Sequence, residues 1–340
     1  MATVRIGITG SGFMGLTHAE AIRRIPDAQL VAVTGGTRAA RLAADYGAAV
    51  EPSVEQLAGR ADIDAIIIAT PHHVHCQEAV TAAEHGKHVL VEKPMATSVE
   101  DCDRMIDACQ RHGVLLSVGY QQRYRNVNIM TKQAIEEGQI GRMLGIWAVQ
   151  VGSSGSVKPW MKDPASVGWL LGYGVHTIDL CRWLLKSDVE RVYARCGTFR
   201  ETVSVENTTQ MMMTFGNGVA ASFWSTNVCP PPGLPASELR LQIMGETGLI
   251  DADAYGKLQV GHDGRWETLY EQAPINWAAP NGAISDVRME AYTRGVQDFI
   301  DAVLGRKPLA VTGQDGQAGV AIALAAYRSS AEGRVVAVPG

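Results

Sequence analysis

The chain has 340 residues, 46% of them hydrophobic and 19% charged, which describes a globular protein of about two domains rather than a disordered or fibrous one. Thirty basic against 35 acidic residues leave a formal net charge of −5, with no Lys/Arg run, so nucleic acid and anionic membrane surfaces are not expected partners. No window approaches 18 uninterrupted apolar residues, and MATVRIGITG enters a strand pattern without the regions of a signal peptide.

The first part alternates apolar runs with helical patterns, as a parallel sheet with crossover helices requires. Strands are expected at Val4–Thr9, Gln29–Val33, Ala65–Ala69, His88–Glu92 and Leu115–Gly119, and helices at Phe13–Ile25, Ala39–Tyr46 and Val74–Glu84. Ser98 reads as the N-cap of a helix through Gln110, with Glu100 and Asp101 in its first turn. After Tyr124 the texture changes. Leu144–Val151, Arg191–Cys196, Thr208–Phe215, Val219–Ser225 and Leu239–Met244 look like strands with few helices between them, hence an open, predominantly antiparallel sheet. Cys229–Pro235 reads as a loop, and Glu290–Leu304 and Gly316–Ser330 as terminal helices that pack back near the first domain. The expected division is residues 1–124 and 125–340.

Gly10-Ser11-Gly12-Phe13-Met14-Gly15 follows a strand and opens a helix, the context that a dinucleotide fingerprint demands. The first glycine permits the turn, the second lets pyrophosphate approach, and the third lets helix pack on strand. An acidic residue for the ribose 2′-hydroxyl belongs at the end of the second strand. Val33-Thr34-Gly35-Gly36-Thr37-Arg38 has none, and Thr37 and Arg38, with Arg41, point instead to a 2′-phosphate: NADP is expected over NAD.

Glu92-Lys93-Pro94 closes a central strand, where ligands bind in open α/β sheets, so the Lys93 ammonium is placed to donate to a substrate oxygen. In Gly172-Tyr173-Gly174-Val175-His176-Thr177-Ile178-Asp179, His176 is expected in a helix's first turn, with Asp179 one turn on; a buried structural histidine is the plainer reading of that segment alone. His72-His73-x-His75 lacks the spacing of a closed metal site, and no metal is expected. The six cysteines form no C-x-x-C pair and read as reduced, mostly buried thiols in a cytoplasmic protein.

Taken together, GSGFMGLTH, ATPHHVH, VEKPMATS, GYQQRY, GYGVHTIDL, MGETG and DFIDAVLGRKPLAVTGQDG resemble the Gfo/Idh/MocA family, the glucose–fructose oxidoreductase and inositol dehydrogenase group, over essentially the whole chain. The resemblance implies an N-terminal Rossmann domain, a C-terminal α+β domain, a homodimer or homotetramer, and hydride transfer between nicotinamide and a cyclic polyol, sugar or sugar derivative. It implies that Lys93 contacts the reacting hydroxyl and nicotinamide ribose, and that His176 is the acid/base candidate. Thr70, Pro71, His72, His75, Glu92 and Gln121 then border the cofactor, and Tyr120, Arg123, Trp160, Tyr173 and Asp179 are the substrate candidates. Two positions depart from the pattern: Gly172, where polyol-oxidising members often have Asp, and Met161, where arginine is frequent. The first tells against inositol dehydrogenase proper. The rival readings are a glycoside-cleaving enzyme with transient oxidation, and a non-catalytic NADP-binding regulator.

Overall fold

The computed structural model describes residues 2–153, 167–199, 203–230, 232–234, 238–279 and 281–339. The chain divides into two compact units, one of residues 1–124 with 276–318 and one of residues 125–275 with 319–340.

In the first unit β1 (Val4–Thr9), α1 (Phe13–Arg23), β2 (Ala28–Thr34), α2 (Ala39–Tyr46), β3 (Ala49–Glu51), α3 (Val54–Ala58), β4 (Ala65–Ile68), α4 (His75–Glu84), β5 (His88–Val91), α5 (Val99–Arg111) and β6 (Leu116–Val118) follow in order. The six strands are all parallel in the order β3-β2-β1-β4-β5-β6. This is a Rossmann sheet whose order reverses between β1 and β4, the point outside which such sheets bind ligands. The Ser98 cap is as expected, its hydroxyl accepting from the Asp101 N–H at 3.1 Å. Strand β3 and helix α3 were not anticipated, since three and five residues are too few to show a period.

Residues 276–318 differ from the linear division, clustering with the first unit; of the two terminal helices expected to pack back there, Asp286–Val303 does, whereas most of the last helix, Gly313–Glu332, clusters with the second unit. The reason is apolar burial. Helix Asp286–Val303 sinks Met289, Val296, Phe299 and Ile300 into the same core as Ile6, Ile8, Ala19 and Ile22. Its Arg288, 2% exposed, donates to Thr17 Oγ1 at 3.0 Å and lies over the Phe13 ring at 4.6 Å.

The second unit contains α6 (Asn126–Glu136), β7 (Met143–Ser153), α7 (Val175–Leu185) and strands β8 (Val189–Gly197), β9 (Thr208–Phe215), β10 (Ala220–Cys229), β11 (Leu239–Gly245), β12 (Leu249–Asp253), β13 (Lys257–His262), β14 (Arg265–Glu271) and β15 (Val336–Ala337). They form one nine-stranded sheet, β14-β13-β12-β11-β7-β10-β9-β8-β15, antiparallel except for the β7–β10 pair. The expected α/β class, a Rossmann unit followed by a mostly antiparallel open sheet, is what the chain forms. Alternate residues such as Ile146, Ala148, Met211, Met213, Phe223, Leu241 and Ile243 are buried. The opposite face keeps Trp147, Tyr193, Met212 and Met244 roughly half exposed. Strand β10 runs on to Cys229, so the expected loop begins only at Pro230, where the missing N–H ends the ladder. No helix among the described residues is long and apolar enough to cross a membrane.

Phe299→Ala should lower unfolding free energy by about 3–5 kcal/mol, because Phe299 is fully buried in the first core. Urea titration followed by circular dichroism measures this.

Candidate active site

The glycine loop after β1 shows three separate constraints. Gly10 has φ +94°, and a Cβ there would stand 2.4 Å from the Ala69 carbonyl oxygen. A Cβ on Gly15 would stand 2.0 Å from the Gly10 carbonyl oxygen, so α1 starts hard against the turn. At Gly12 nothing lies within 4 Å of the added atom, leaving room for a ligand to reach the backbone. Helix α1 has Gly12 as its N-cap with no side-chain cap, and its first N–H groups have no intrahelical acceptors. An anionic diphosphate fits this end. Phe13 is half exposed beside it.

Ser11 Oγ accepts from the Arg38 N–H at 3.1 Å, which ties the turn after β2 to this loop. A Cβ on Gly36, whose φ is +76°, would press on the same hydroxyl at 2.6 Å. Gly35, Gly36, Thr37 and Arg38 are all exposed and no carboxylate stands among them. Among the described residues the Arg38 guanidinium has no ion-pair partner, whereas Arg41 reaches Asp45 at 3.7 Å.

The β4 end leads through Thr70 and Pro71 into a 3-10 turn, His72–Val74. Thr9 and Thr70 hydroxyls both donate to Glu78 Oε2, at 2.6 and 2.9 Å, and burial holds the Glu78 carboxyl above its ordinary range. His75 is fully buried with Nε2 2.9 Å from the Thr70 carbonyl and Nδ1 3.1 Å from that of Pro94. A neutral ring donates to only one of them, and burial lowers the His75 pKa. This histidine therefore pins the loop that carries Lys93. His72 is brought down to about 3 by burial and by the charge of Lys93, so it is neutral.

Lys93 is partly exposed, just after β5, and desolvation lowers its pKa against the opposing Glu92 charge. Glu92, expected to border the cofactor, instead turns inward. Only 6% exposed, it sits 2.8 Å from Nε2 of His18 on α1. The reason is its partner: His18 holds the Glu92 carboxylate inside, while Lys93, the next residue, stays partly exposed. Arg123 is likewise committed within its unit, donating to the Ala310 carbonyl at 2.8 Å and pairing with Asp315 at 2.9 Å. Tyr120 is fully buried and Gln121 half buried.

In the second unit His176 is 3% exposed and Asp179 is 1% exposed. The expected first-turn position of His176 is corrected here. Helical backbone already begins at Trp169, and a π-helical turn, Leu170–Gly174, feeds into α7. The free helix end lies at Glu206, which accepts from the Leu170 N–H at 2.8 Å through Oε2 and from the Trp169 N–H at 2.8 Å through its carbonyl. Glu206, not His176, therefore meets the N-terminal dipole of this helix. Single π turns often mark functional helices. Tyr173 stacks on Trp169 at 4.1 Å and 12°. Trp160 and Met161 lie outside the described residues.

His18 and Glu206 were not singled out from sequence. His18 ends the GSGFMGLTH segment on a helix interior, where a histidine facing a buried acid gives no periodic signal. The cysteines are free, four of them fully buried, and burial pushes the Cys102, Cys109 and Cys181 thiols up to about 12.

Residues 4–120 match the family model of the GFO_IDH_MocA oxidoreductases with an NAD-binding Rossmann fold, and residues 129–251 match the family's C-terminal domain. Inositol 2-dehydrogenase 2 of Saccharopolyspora erythraea is 29% identical over 348 residues, covering 99% of this chain and 96% of that one. The 2,7-anhydro-N-acetylneuraminate hydratase of Mediterraneibacter gnavus is 31% identical over 194 residues; that match spans 56% of this chain and about half, 52%, of the relative's length. Among solved structures, a levoglucosan dehydrogenase in complex with NADH and levoglucosan superposes with a TM-score of 0.87 at 24% identity over 99% of both chains. An Agrobacterium radiobacter oxidoreductase in complex with NAD+, L-tartaric acid and magnesium gives 0.89 at 22% identity, again over 99% of each.

Gly12→Ala should fold normally yet bind coenzyme more weakly, while Gly15→Ala should yield little folded protein; intrinsic fluorescence titration and circular dichroism separate the two. Acid stability carries a second expectation. The folded pKa of His72 lies near 3 and its ordinary value is 6.5, so between them only the unfolded chain takes up the proton. Stability from this group is thus full above about 6.5 and falls as pH drops towards 3. His72→Gln should flatten that part of the stability–pH curve.

Proposed function

This chain belongs to the GFO/IDH/MocA oxidoreductase family, and from that premise we propose that it transfers hydride between a nicotinamide coenzyme and a secondary alcohol or ketone carbon of a cyclic polyol, sugar or sugar derivative. One observation carries the reading. A partly desolvated lysine, Lys93, ends a central parallel strand at the sheet face where the glycine loop receives a diphosphate. The inositol 2-dehydrogenase aligned end to end with this chain supports a polyol-like substrate.

The nicotinamide, when bound, carries the hydride. Gly12 and the α1 N-terminus bind its diphosphate, and Thr70, Pro71, His72 and Gln121 border the coenzyme. Lys93 donates to the reacting oxygen and stabilises the charge that builds on it. His176 accepts the hydroxyl proton in oxidation and returns it in reduction; Tyr173, Tyr120 and Asp179 help to hold the substrate.

NADP is the preferred coenzyme in this reading. The support is the exposed Arg38, without an ion-pair partner among the described residues, near Gly35, where a ribose-binding carboxylate would otherwise stand. A homo-oligomer assembles through the 140–270 sheet, because Trp147, Tyr193, Met212 and Met244 leave an apolar stripe on one face. A second reading, transient oxidation without net redox, is favored by the relative named as a hydratase.

A screen of polyols and sugars with both NAD and NADP tests the function directly. Net coenzyme reduction supports dehydrogenation, product without net reduction supports the second reading, and neither outcome overturns both. Arg38→Ala should weaken NADPH binding selectively; equal losses for NADH and NADPH contradict the coenzyme assignment. His176→Ala should lower kcat by roughly 100- to 10,000-fold with coenzyme affinity nearly unchanged. Lys93→Ala should damage both kcat and KM. A monomeric mass by light scattering contradicts the assembly.

A further inference from the structure

Glu92 presents a physical question that catalysis by Lys93 alone leaves unanswered. A carboxylate 6% exposed is costly to bury unless paired, and an apolar side chain would fill the same space. The fold instead encloses it. His18 Nε2 meets Oε1 at 2.8 Å from α1, and Gly119, at the end of β6, leaves so little room that a Cβ there would stand 3.1 Å from the same oxygen. Tyr292 stands edge-on to the His18 ring at 6.5 Å. Both residues line a cavity of about 20 Å³ together with Tyr120, Gln121 and Tyr124.

We propose that His18 and Glu92 are positioning residues for Lys93: the pair locks one buried negative charge beside the lysine and so keeps its ammonium protonated where it must donate. This rests on the role given above to Lys93. The titratable groups around the pair come from four elements. Glu92 is faced by His18 from α1, by Lys93 next in the chain and by His75 from α4; Lys93 is faced by Glu92 and by His72 from the 3-10 turn. Burial drives the Glu92 carboxyl up, but the hydrogen bond from His18 and the neighbouring Lys93 bring it net below its ordinary range, so it is an anion. Burial drives the lysine down, and Glu92 opposes that shift. Since α1 also carries the glycine loop, the His18–Glu92 contact ties the coenzyme-binding helix to the loop that holds Lys93.

Competitive acetylation with acetic anhydride over a pH series, read at Lys93 by mass spectrometry in the full chain without coenzyme, tests this. Exposed Lys257 serves as the internal reference. In Glu92→Gln the Lys93 labelling midpoint should fall by roughly one pH unit or more, since an opposite charge shifts a neighbor by that much. His18→Ala should move it the same way, because an unpaired buried carboxyl takes up a proton. His18→Gln keeps a donor for Oε1 and should stay near the native midpoint. A Glu92→Gln midpoint equal to or above the native one overturns the proposal. If Glu92→Gln does not fold by circular dichroism, the two His18 variants decide, and coincident midpoints overturn it. Labelling is independent of turnover, so an inactive native enzyme or an active Lys93→Ala would count against the function, not against this coupling.

Discussion

Helix α1 leaves β1 so abruptly that two backbones touch, and much of the first unit follows from that contact. With the Gly10 carbonyl oxygen only 2.0 Å from where a Gly15 Cβ would be, no side chain can separate strand from helix. The close approach aims the N-terminus of α1 at the sheet's switch point. It also sets the depth at which Ala19 and Ile22 enter the core that Phe299 and Ile300 share. One turn beyond Gly15, the same helix delivers His18 to Glu92 at the end of β5. Phosphate binding, core packing and the surroundings of Lys93 thus share a single backbone constraint.

The two units treat buried charge differently. Around Lys93 the ionisable groups are close enough to shift one another, and burial is offset by opposing charge. In the second unit, Glu206 is used as a cap. Its carboxylate takes the Leu170 N–H, the Thr209 hydroxyl at 2.8 Å and the Tyr327 hydroxyl at 3.2 Å, and burial still holds its pKa up. Gly168 is the necessary companion, since a Cβ there would come within 2.6 Å of both Glu206 Oε2 and the Tyr327 oxygen. The π turn before His176 is therefore anchored from the N-terminal side by polar contacts to β9's approach and to the last helix.

Period and punctuation made the Rossmann strands, their helices and the glycine loop legible, because those elements are long enough or chemically constrained enough to show locally. Strands β12 to β14 were not legible: β14, Arg265-Trp-Glu-Thr-Leu-Tyr-Glu, is exposed at the sheet edge and shows little apolar alternation. Lys93 was readable from its place after a strand. The inward turn of Glu92 was not, since its partner lies 74 residues away on another element. His176 was recognisable as a residue, but its helical context was misjudged. The preceding Gly172-Tyr173-Gly174 reads as a helix start, whereas tertiary contacts extend the helix back to Trp169.

The return of residues 276–318 to the first unit bears on how the polypeptide becomes a protein at all. On the ribosome, the six parallel strands emerge long before Phe299 and Ile300, which cover part of their core. The second unit interrupts the first and in turn waits for residues 319–340, including β15, which pairs with β8. Both depend on contacts between distant segments, and such topologies fold slowly and expose apolar surface meanwhile. A chain stalled near residue 280 would leave two incomplete cores open to aggregation.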